Sequence, residues 1–268
     1  MSATSQMNSL KSRFRNRWRR FTVNRYARRD FELRADAPYV SFTFDDFPRT
    51  ALTEGGRILA EQGAGGTYFV SMQLLGSQSP SGLVASREDL KSCLKEGHEL
   101  GCHTFEHLDG RSSTAREFER SIRANRAALE ESVPGADFQV FAYPLNGPVL
   151  SIKRAVGRRF AVCRGGGQAF NTGAMDLNLL KAFFLDHRNR GNIDVVRRVI
   201  EENAKARGWL VFATHDVAES PSVYGCEPGY FEEIVRLAIQ SGARVQPMRR
   251  VCQELGISRA MSLDGQSA

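Results

Sequence analysis

Two short motifs about sixty residues apart combine the residue types that bind a divalent metal and move protons. The first places Asp45 beside Asp46 in Thr43-Phe44-Asp45-Asp46, and the second separates His103 from His107 by four positions. Two imidazoles and one carboxylate can hold a divalent ion while leaving positions for water and substrate. The other carboxylate would then be free to accept or donate protons. Each motif is weak alone, because an Asp pair often caps a turn and two histidines can share one helix face.

Alternating strand-like and helix-like segments predict how these residues are positioned. A strand over 39–44 would end at Asp45 and Asp46, and a strand over 209–213 would end at Thr214-His215-Asp216. Further strands are predicted at 67–70, 138–143, 160–163 and 243–246, and helices at 50–62, 86–97, 113–132, 151–158, 193–207 and 230–240. This alternation predicts an α/β fold with a parallel sheet or (β/α) barrel. In such folds function lies at the C-terminal ends of the strands.

Composition is that of an ordinary globular chain of 268 residues, with 41% hydrophobic and 25% charged residues. No apolar run is long enough for a transmembrane helix, and the N-terminus lacks the apolar core of a signal peptide. The cysteines are odd in number, scattered and without metal-binding spacing: Cys93, Cys102, Cys163, Cys226 and Cys252. We therefore expect reduced thiols and a cytoplasmic location, either free or peripheral to the inner membrane surface.

The net charge of +7 belongs to one end of the chain. Residues 1–34 contain ten Lys or Arg and two acidic residues, which gives +8 and leaves about −1 for the remainder. Aromatic residues lie between these arginines: Phe14, Trp18, Phe21 and Tyr26. The pattern suits a solvated or partly packed arm, an anionic membrane surface, or nucleic acid, which is the least expected of the three. We divide the chain into a basic arm (1–37), a single barrel domain (38–256) and a polar tail (257–268).

The ordered set T-F-D-D, H-T-x-x-H, F-A-Y-P and a strand ending in T-H-D resembles the polysaccharide deacetylases of carbohydrate esterase family four. That family includes the nodulation-type chitooligosaccharide deacetylases. The resemblance implies a distorted (β/α) barrel with seven or eight strands. It also implies that Asp45 is the general base and His215 the general acid, while a divalent ion, expected to be zinc, is held by three ligands: Asp46, His103 and His107.

The chemistry expected of this set is hydrolysis of an N-acetyl or O-acetyl group on a saccharide. We expect a backbone N–H of the loop Tyr143-Pro144-Leu145 to contact the substrate by stabilising the developing oxyanion. Two alternatives stay open: a degenerate family member that binds saccharide without turnover, and a hydrolase of a small non-peptide amide. The chain departs from the family pattern where Ala142 replaces an arginine that orients the base. The family's fourth motif has no clear counterpart after residues 160–164, so the acidic residue that would tune His215 is unassigned.

Overall fold

The computed structural model describes residues 16–145 and 147–258, which contain one strongly curved parallel sheet surrounded by helices. The strands are β1 (Asp30–Glu32), β2 (Tyr39–Phe44), β3 (Gly66–Val70), β4 (Gln78–Ser79), β5 (Gly82–Leu83), β6 (Glu99–Cys102), β7 (Val140–Ala142), β8 (Val162–Arg164), β9 (Ala174–Asp176), β10 (Phe183–Phe184), β11 (Trp209–Thr214) and β12 (Arg244–Val245). The main sheet has the order β10-β11-β2-β3-β6-β7-β8, with β12 also paired to β2.

The segment 177–182 continues the sheet beyond β8 and so curls it into a barrel. The Leu180 N–H donates to the Cys163 carbonyl, and the Leu180 carbonyl accepts from the Gly165 N–H. The Gln168 N–H donates to the Ala182 carbonyl. The same segment leads into β10, which pairs with β11 in parallel. The distorted (β/α) barrel expected from the sequence is therefore confirmed.

Six of the helices lie at their predicted positions, with shifts of one or two residues at their ends, whereas the first and the last were not predicted. They are α1 (16–25), α2 (Arg57–Glu61), α3 (Arg87–Lys95), α4 (Ala115–Ser132), α5 (Leu150–Val156), α6 (Ile193–Ala206), α7 (Pro228–Gln240) and α8 (Met248–Glu254). Ser86 and Asp89 form the predicted capping box at the start of α3. The predicted helix over 50–62 begins as a π-helical turn, Ala51–Gly56, before it becomes α2.

The period-two alternation of the strands separates two buried clusters. In β2, Val40, Phe42 and Phe44 belong to the cluster that the outer helices cover. Tyr39 belongs to the barrel-interior cluster, and Ser41 accepts a hydrogen bond from the interior indole of Trp209 at 3.0 Å. Because side chains alternate between faces, a residue directly after a strand continues one of these two rows.

The N-terminal segment, for which no local structure was predicted, packs on the barrel within the described residues. Val23 of α1 is buried, and β1 pairs antiparallel with β9. The Lys153 ammonium, fully buried, donates to the carbonyl oxygens of Val23 and Tyr26 and pairs with Asp176 at 2.5 Å. Phe14 and most of the polar tail lie outside the described residues, and the boundaries at 37 and 256 stay predictions.

None of the helices in residues 16–145 and 147–258 is both long and apolar enough to cross a membrane.

Candidate metal centre and catalytic site

The predicted site residues come together at the C-terminal ends of β2, β6 and β11, which we call the mouth of the barrel. Asp45 continues the interior row of β2, and its N–H donates to the Thr214 carbonyl at 2.8 Å. His215 continues the row formed by Trp209, Val211 and Ala213 in β11, three residues of the interior cluster. Strand parity therefore directs both side chains inward from neighbouring strands.

Asp46, His103 and His107 form a compact three-ligand cluster at the mouth. Their potential ligand atoms all lie within 4.8 Å of one another. Asp46 Oδ1 lies 3.2 Å from His107 Nε2 and 3.6 Å from His103 Nε2. This oxygen is buried and has no hydrogen-bond partner within the described residues. Two nitrogens and an orphaned carboxylate oxygen converging on one point fit a divalent ion of the zinc type.

The orientation of His103 is set by a hydrogen bond on the far side of its ring. His103 Nδ1 lies 2.9 Å from the Ala142 carbonyl oxygen, which requires Nδ1 to carry the hydrogen in a neutral ring. Nε2 then presents its lone pair toward Asp46. Burial lowers the pKa of His103 to about 4, so the imidazole is neutral near pH 7, as a ligand must be.

Backbone strain is concentrated in the loops that carry these groups. Of the eight non-glycine residues with positive φ in the described chain, five lie within the motifs or directly after them, namely Asp46, Phe47, Thr104, His107 and Leu145. Non-glycine residues in this region cost free energy and persist only where surrounding contacts enforce them. The Ser71 hydroxyl donates to the His103 carbonyl, and the Phe105 N–H donates to Ser121, so β3 and α4 hold the histidine loop in place.

Arg164 fills the place in which the sequence suggested that an arginine was missing. Ala142 is register-paired with Arg164 on the adjacent strand β8, and the Arg164 guanidinium forms an ion pair with Asp45 Oδ1. The rings of Phe69 and Phe184 lie 5.1 and 5.5 Å from the guanidinium carbon. The short side chain of Ala142 is thus compensated by a neighbouring strand at the same height.

This ion pair determines the protonation state of Asp45, which is only 6% exposed. Burial by itself would raise the pKa of Asp45, but the charge of the Arg164 guanidinium and its hydrogen bond to the carboxylate are chief among the interactions that outweigh burial and lower it. Asp45 is therefore ionised near neutral pH. Arg164 occupies Oδ1, which leaves Oδ2 as the oxygen available to accept a proton.

His215 approaches the cluster from the end of β11, the strand beside β2, with Nε2 3.8 Å from Asp46 Oδ2. Its Nδ1 is buried and has no hydrogen-bond partner within the described residues. The neighbouring Asp216 does not supply one, because its carboxylate accepts from the N–H and hydroxyl of Ser222. Among the described residues, no acidic side chain is hydrogen-bonded to this nitrogen.

In the predicted contact loop after β7, only one residue has a backbone N–H that can serve as the oxyanion donor. The Tyr143 N–H donates to the Arg164 carbonyl, and the Tyr143 side chain is buried with its hydroxyl bonded to the Asn178 carbonyl. Pro144 has no N–H. Of the predicted contact loop, only the N–H of Leu145, whose side chain is 63% exposed, stays available to a substrate.

The remaining histidines and the glycine run have other environments. His98 is buried, and its Nδ1 accepts from the Gly66 N–H at 3.1 Å. His187 is exposed, with Nδ1 2.9 Å from the Val223 carbonyl oxygen near the mouth. Cys102 is buried and accepts a hydrogen bond from Asn125. The first residue of the run Arg164-Gly165-Gly166-Gly167 provides the guanidinium that pairs with Asp45. Sequence patterns did not predict this role of Arg164, because no local sequence signal shows which strand lies beside Ala142.

Comparison with known proteins identifies the domain that carries the mouth. Residues 33–159 match the family model of polysaccharide deacetylases, a span that contains Asp45, Asp46, His103 and His107 but not His215. This span, just under half of the chain, is therefore similar in sequence to a polysaccharide deacetylase domain. Over 70 residues the chain is 36% identical to a chitin deacetylase from Arthroderma benhamiae, a stretch that covers 26% of this chain and 18% of that enzyme.

Solved structures of the family share the fold over most of the chain. A T48 deacetylase solved with substrate aligns with a TM-score of 0.57 at 20% identity, covering 85% of this chain and 97% of its own. A family-four pseudoenzyme from Bacillus anthracis aligns with a TM-score of 0.54 at 11% identity, covering 82% of this chain and 67% of its own. At these sequence identities the structural similarity establishes the polysaccharide deacetylase fold, whereas catalytic turnover has to be argued from the site residues.

Proposed function

We propose that this chain is a metal-dependent hydrolase that removes N-acetyl or O-acetyl groups from a saccharide or polysaccharide intermediate. The observation that carries the proposal is the convergence of five residues at the mouth: Asp45, Asp46, His103, His107 and His215. They arrive from three strands and include both the three-ligand cluster and two candidate proton carriers. The expected ion is zinc, because two imidazoles and one carboxylate form a typical catalytic zinc site.

A bound divalent ion would supply Lewis acidity, polarising the acyl carbonyl and lowering the pKa of water. Asp45 Oδ2, ionised and oriented by Arg164, accepts the proton of the attacking water. The Leu145 N–H is placed to donate to the developing oxyanion. His215, at the end of the neighbouring strand β11, donates a proton through Nε2 to the departing amine or alcohol. Acceptor and donor on separate strands let one site perform both proton transfers.

Two observations bear on the alternative of a degenerate saccharide-binding protein. The B. anthracis pseudoenzyme shows that the fold can exist without turnover, and His215 Nδ1 lacks an acidic partner within the described residues. Against it, all five reactive residues are present and oriented toward one point. We therefore favour the enzyme over the binder, and a saccharide over a small non-peptide amide because the matched family acts on polysaccharides.

Acetate release from a panel of acetylated saccharides, compared with small acetanilides, tests the proposal. We expect wild-type protein loaded with zinc to release acetate from at least one N- or O-acetylated sugar, and the Asp45→Asn variant to release far less. Saccharide binding by calorimetry without acetate release, in protein with full metal content, would instead establish the degenerate binder. Release confined to the acetanilides would favour the small-amide alternative.

The cytoplasmic location expected from the cysteines stays a prediction. All five cysteines are free and buried, which describes their packing and not their compartment.

A further inference from the structure

Exposed hydrophobic side chains are distributed unevenly over the described residues. Two of them, Val195 and Ile239, lie on the outer helices α6 and α7. The others are confined to the N-terminal segment and to loops at the mouth, and they are Trp18, Phe21, Tyr26, Leu83, Leu145, Val223 and Tyr224. Large exposed apolar groups gathered around one end of a molecule mark an interaction surface.

Helix α1 presents an aromatic pair on its outward face. Trp18 and Phe21 are 60% and 54% exposed, and their ring centroids lie 5.8 Å apart. The spacing of three residues places both rings on one face. Val23, on the inward face, is buried against the barrel. These rings therefore cover none of the core, although they are among the most costly side chains to leave in water.

Three arginines flank the aromatic pair without acidic partners. Arg17, Arg20 and Arg25 are exposed, and within the described part of the chain none has a carboxylate oxygen within 4.0 Å. The nearby Arg28, by contrast, is bonded to Asp30. An aromatic face bordered by unpaired cations is typical of helices that lie in the interface of an anionic bilayer.

The contacts of α1 place this face beside the mouth. The Arg19 guanidinium donates to the carbonyl oxygens of Gly147 and Pro148, at 3.5 and 3.4 Å, in the loop that follows Leu145. Asp109 and Arg111, two and four residues after His107, are close enough to alter the pKa of Arg19. Helix α1 thus contacts the loop of the candidate oxyanion donor and lies near the loop of a metal-binding histidine.

We propose that α1 and the apolar loop tips at the mouth dock together on the surface of an anionic lipid bilayer. Trp18 and Phe21 enter the interface, and the three arginines contact lipid phosphates. The exposed apolar residues at the mouth face the same surface, namely Leu83, Leu145, Val223 and Tyr224. The mouth then opens toward the bilayer, so its substrate is an acetylated saccharide carried on a lipid. This last step rests on the proposed function, whereas the docking itself does not.

Sedimentation of full-length protein with vesicles tests the docking without any measurement of hydrolysis. We expect wild-type protein to bind phosphatidylcholine vesicles containing phosphatidylglycerol, and to bind pure phosphatidylcholine vesicles far less. Removing three cations near an anionic surface should weaken binding by roughly 100-fold at low salt, and added salt should reduce the difference. Wild-type protein that fails to sediment with the anionic vesicles overturns the proposal.

Matched variants separate the specific face from general charge and hydrophobicity. Arg17→Gln/Arg20→Gln/Arg25→Gln is compared with Arg116→Gln/Arg120→Gln/Arg123→Gln, which removes the same charge from exposed positions of α4. Trp18→Ser/Phe21→Ser is compared with Val195→Ser/Ile239→Ser. We expect only the α1 variants to lose vesicle binding, with all four retaining the wild-type melting temperature. Equal loss in test and control variants overturns the proposal.

A single-stranded RNA oligonucleotide serves as the competing anionic partner. If RNA binds through the three arginines while Trp18→Ser/Phe21→Ser leaves vesicle binding unchanged, the face is a polyanion site and the membrane proposal is wrong. If docking is confirmed, vesicle-bound and soluble acetylated saccharides are compared as substrates. Stimulation by vesicles that disappears in Trp18→Ser/Phe21→Ser supports a lipid-carried substrate, and equal rates contradict it.

Discussion

The two ends of the barrel both contain buried ionisable groups, but only the mouth arranges them around a shared point. The opposite end, which we call the floor, is closed by α8 and has a cavity of about 450 Å³ lined by His98, Glu99 and Arg249. Glu99 Oε2 accepts hydrogen bonds from the Thr67 hydroxyl and the Arg249 N–H, and so caps the start of α8. His98 Nδ1 accepts from the Gly66 N–H on the neighbouring strand.

The difference teaches that shifted pKa values and cavity size are poor guides to function by themselves. Burial raises the pKa of Glu99 to about 7 and lowers that of His98 to about 4, shifts as clear as any at the mouth. At the floor one atom of each group bonds to a backbone or hydroxyl partner. The other atoms, His98 Nε2 and Glu99 Oε1, have no hydrogen-bond partner within the described residues, but they belong to no cluster of potential metal ligands there. At the mouth, Asp46, His103 and His107 instead direct their free atoms at one another from strained loops. Convergence of unsatisfied groups is the feature that distinguishes a site from a structural network.

The largest expected effect is on metal content. We expect purified protein to bind one divalent ion per chain and His103→Ala/His107→Ala to bind none, because two of three ligands are removed. Elemental analysis after dialysis measures the stoichiometry. His98→Ala at the floor is the matched control and should keep the ion. Equal metal content in wild type and the double variant would contradict the assignment of the mouth.

The second largest effect is expected on kcat, and it distinguishes the proton acceptor, Asp45, from the metal ligand, Asp46. Asp45→Asn should lower kcat by roughly 10²–10⁴-fold while the metal is retained, because the amide cannot accept a proton. Asp46→Asn should instead lose metal affinity, so its activity should partly recover at high zinc concentration. Acetate release and metal analysis on both variants decide the matter. Wild-type turnover by Asp45→Asn would exclude Asp45 as the base.

Arg164→Gln should have a smaller effect, on the pH profile more than on metal binding. The guanidinium lowers the pKa of Asp45, so its removal raises that pKa. Since Asp45 acts only when ionised, the acidic limb of kcat/KM should move to higher pH, with a loss of roughly 10-fold near neutrality. Arg188→Gln also removes a guanidinium from beside Phe184 but none from Asp45, and should leave the profile unchanged. An unshifted acidic limb in Arg164→Gln would mean that Arg164 is structural.

The smallest effect on activity is expected at the floor, where the change is in stability. Folded Glu99 keeps its proton up to about pH 7, whereas an unfolded glutamate releases it near 4.5, so the free energy of unfolding falls as pH rises between these values. Glu99→Gln removes this loss and should stabilise the protein above pH 7, by at most roughly 3 kcal/mol, with no gain below pH 4.5.

Urea unfolding at pH 4.5 and pH 8 measures the effect of Glu99→Gln. The exposed carboxylate of Glu201 on α6 provides the control, Glu201→Gln, which should change stability little at either pH. Acetate release should be unchanged in both variants. A loss of activity in Glu99→Gln with unchanged metal content would show that the floor takes part in function and would remove the distinction between the two ends.

Local patterns in the sequence were sufficient for the parts of the molecule that depend on near neighbours. The strand at 39–44, the capping box at Ser86 and the alternation that yields the barrel were all predictable from periodicity and turn chemistry. The family motifs likewise brought Asp45, Asp46 and the two histidines to notice. They are short, ordered and placed at strand ends, and parallel strands bring those ends together.

Contacts between distant segments required the tertiary structure. Arg164 lies 119 positions from Asp45, and only the register of β7 and β8 shows that it lies beside Ala142. In the same way, the sequence presented the basic segment as a possible free arm, whereas buried Lys153 binds the last turn of α1 from 130 positions away. The sequence alone determined which residues could do chemistry. The pairing of strands decided which of them meet, because register between non-consecutive segments depends on packing of the whole barrel and leaves no local pattern.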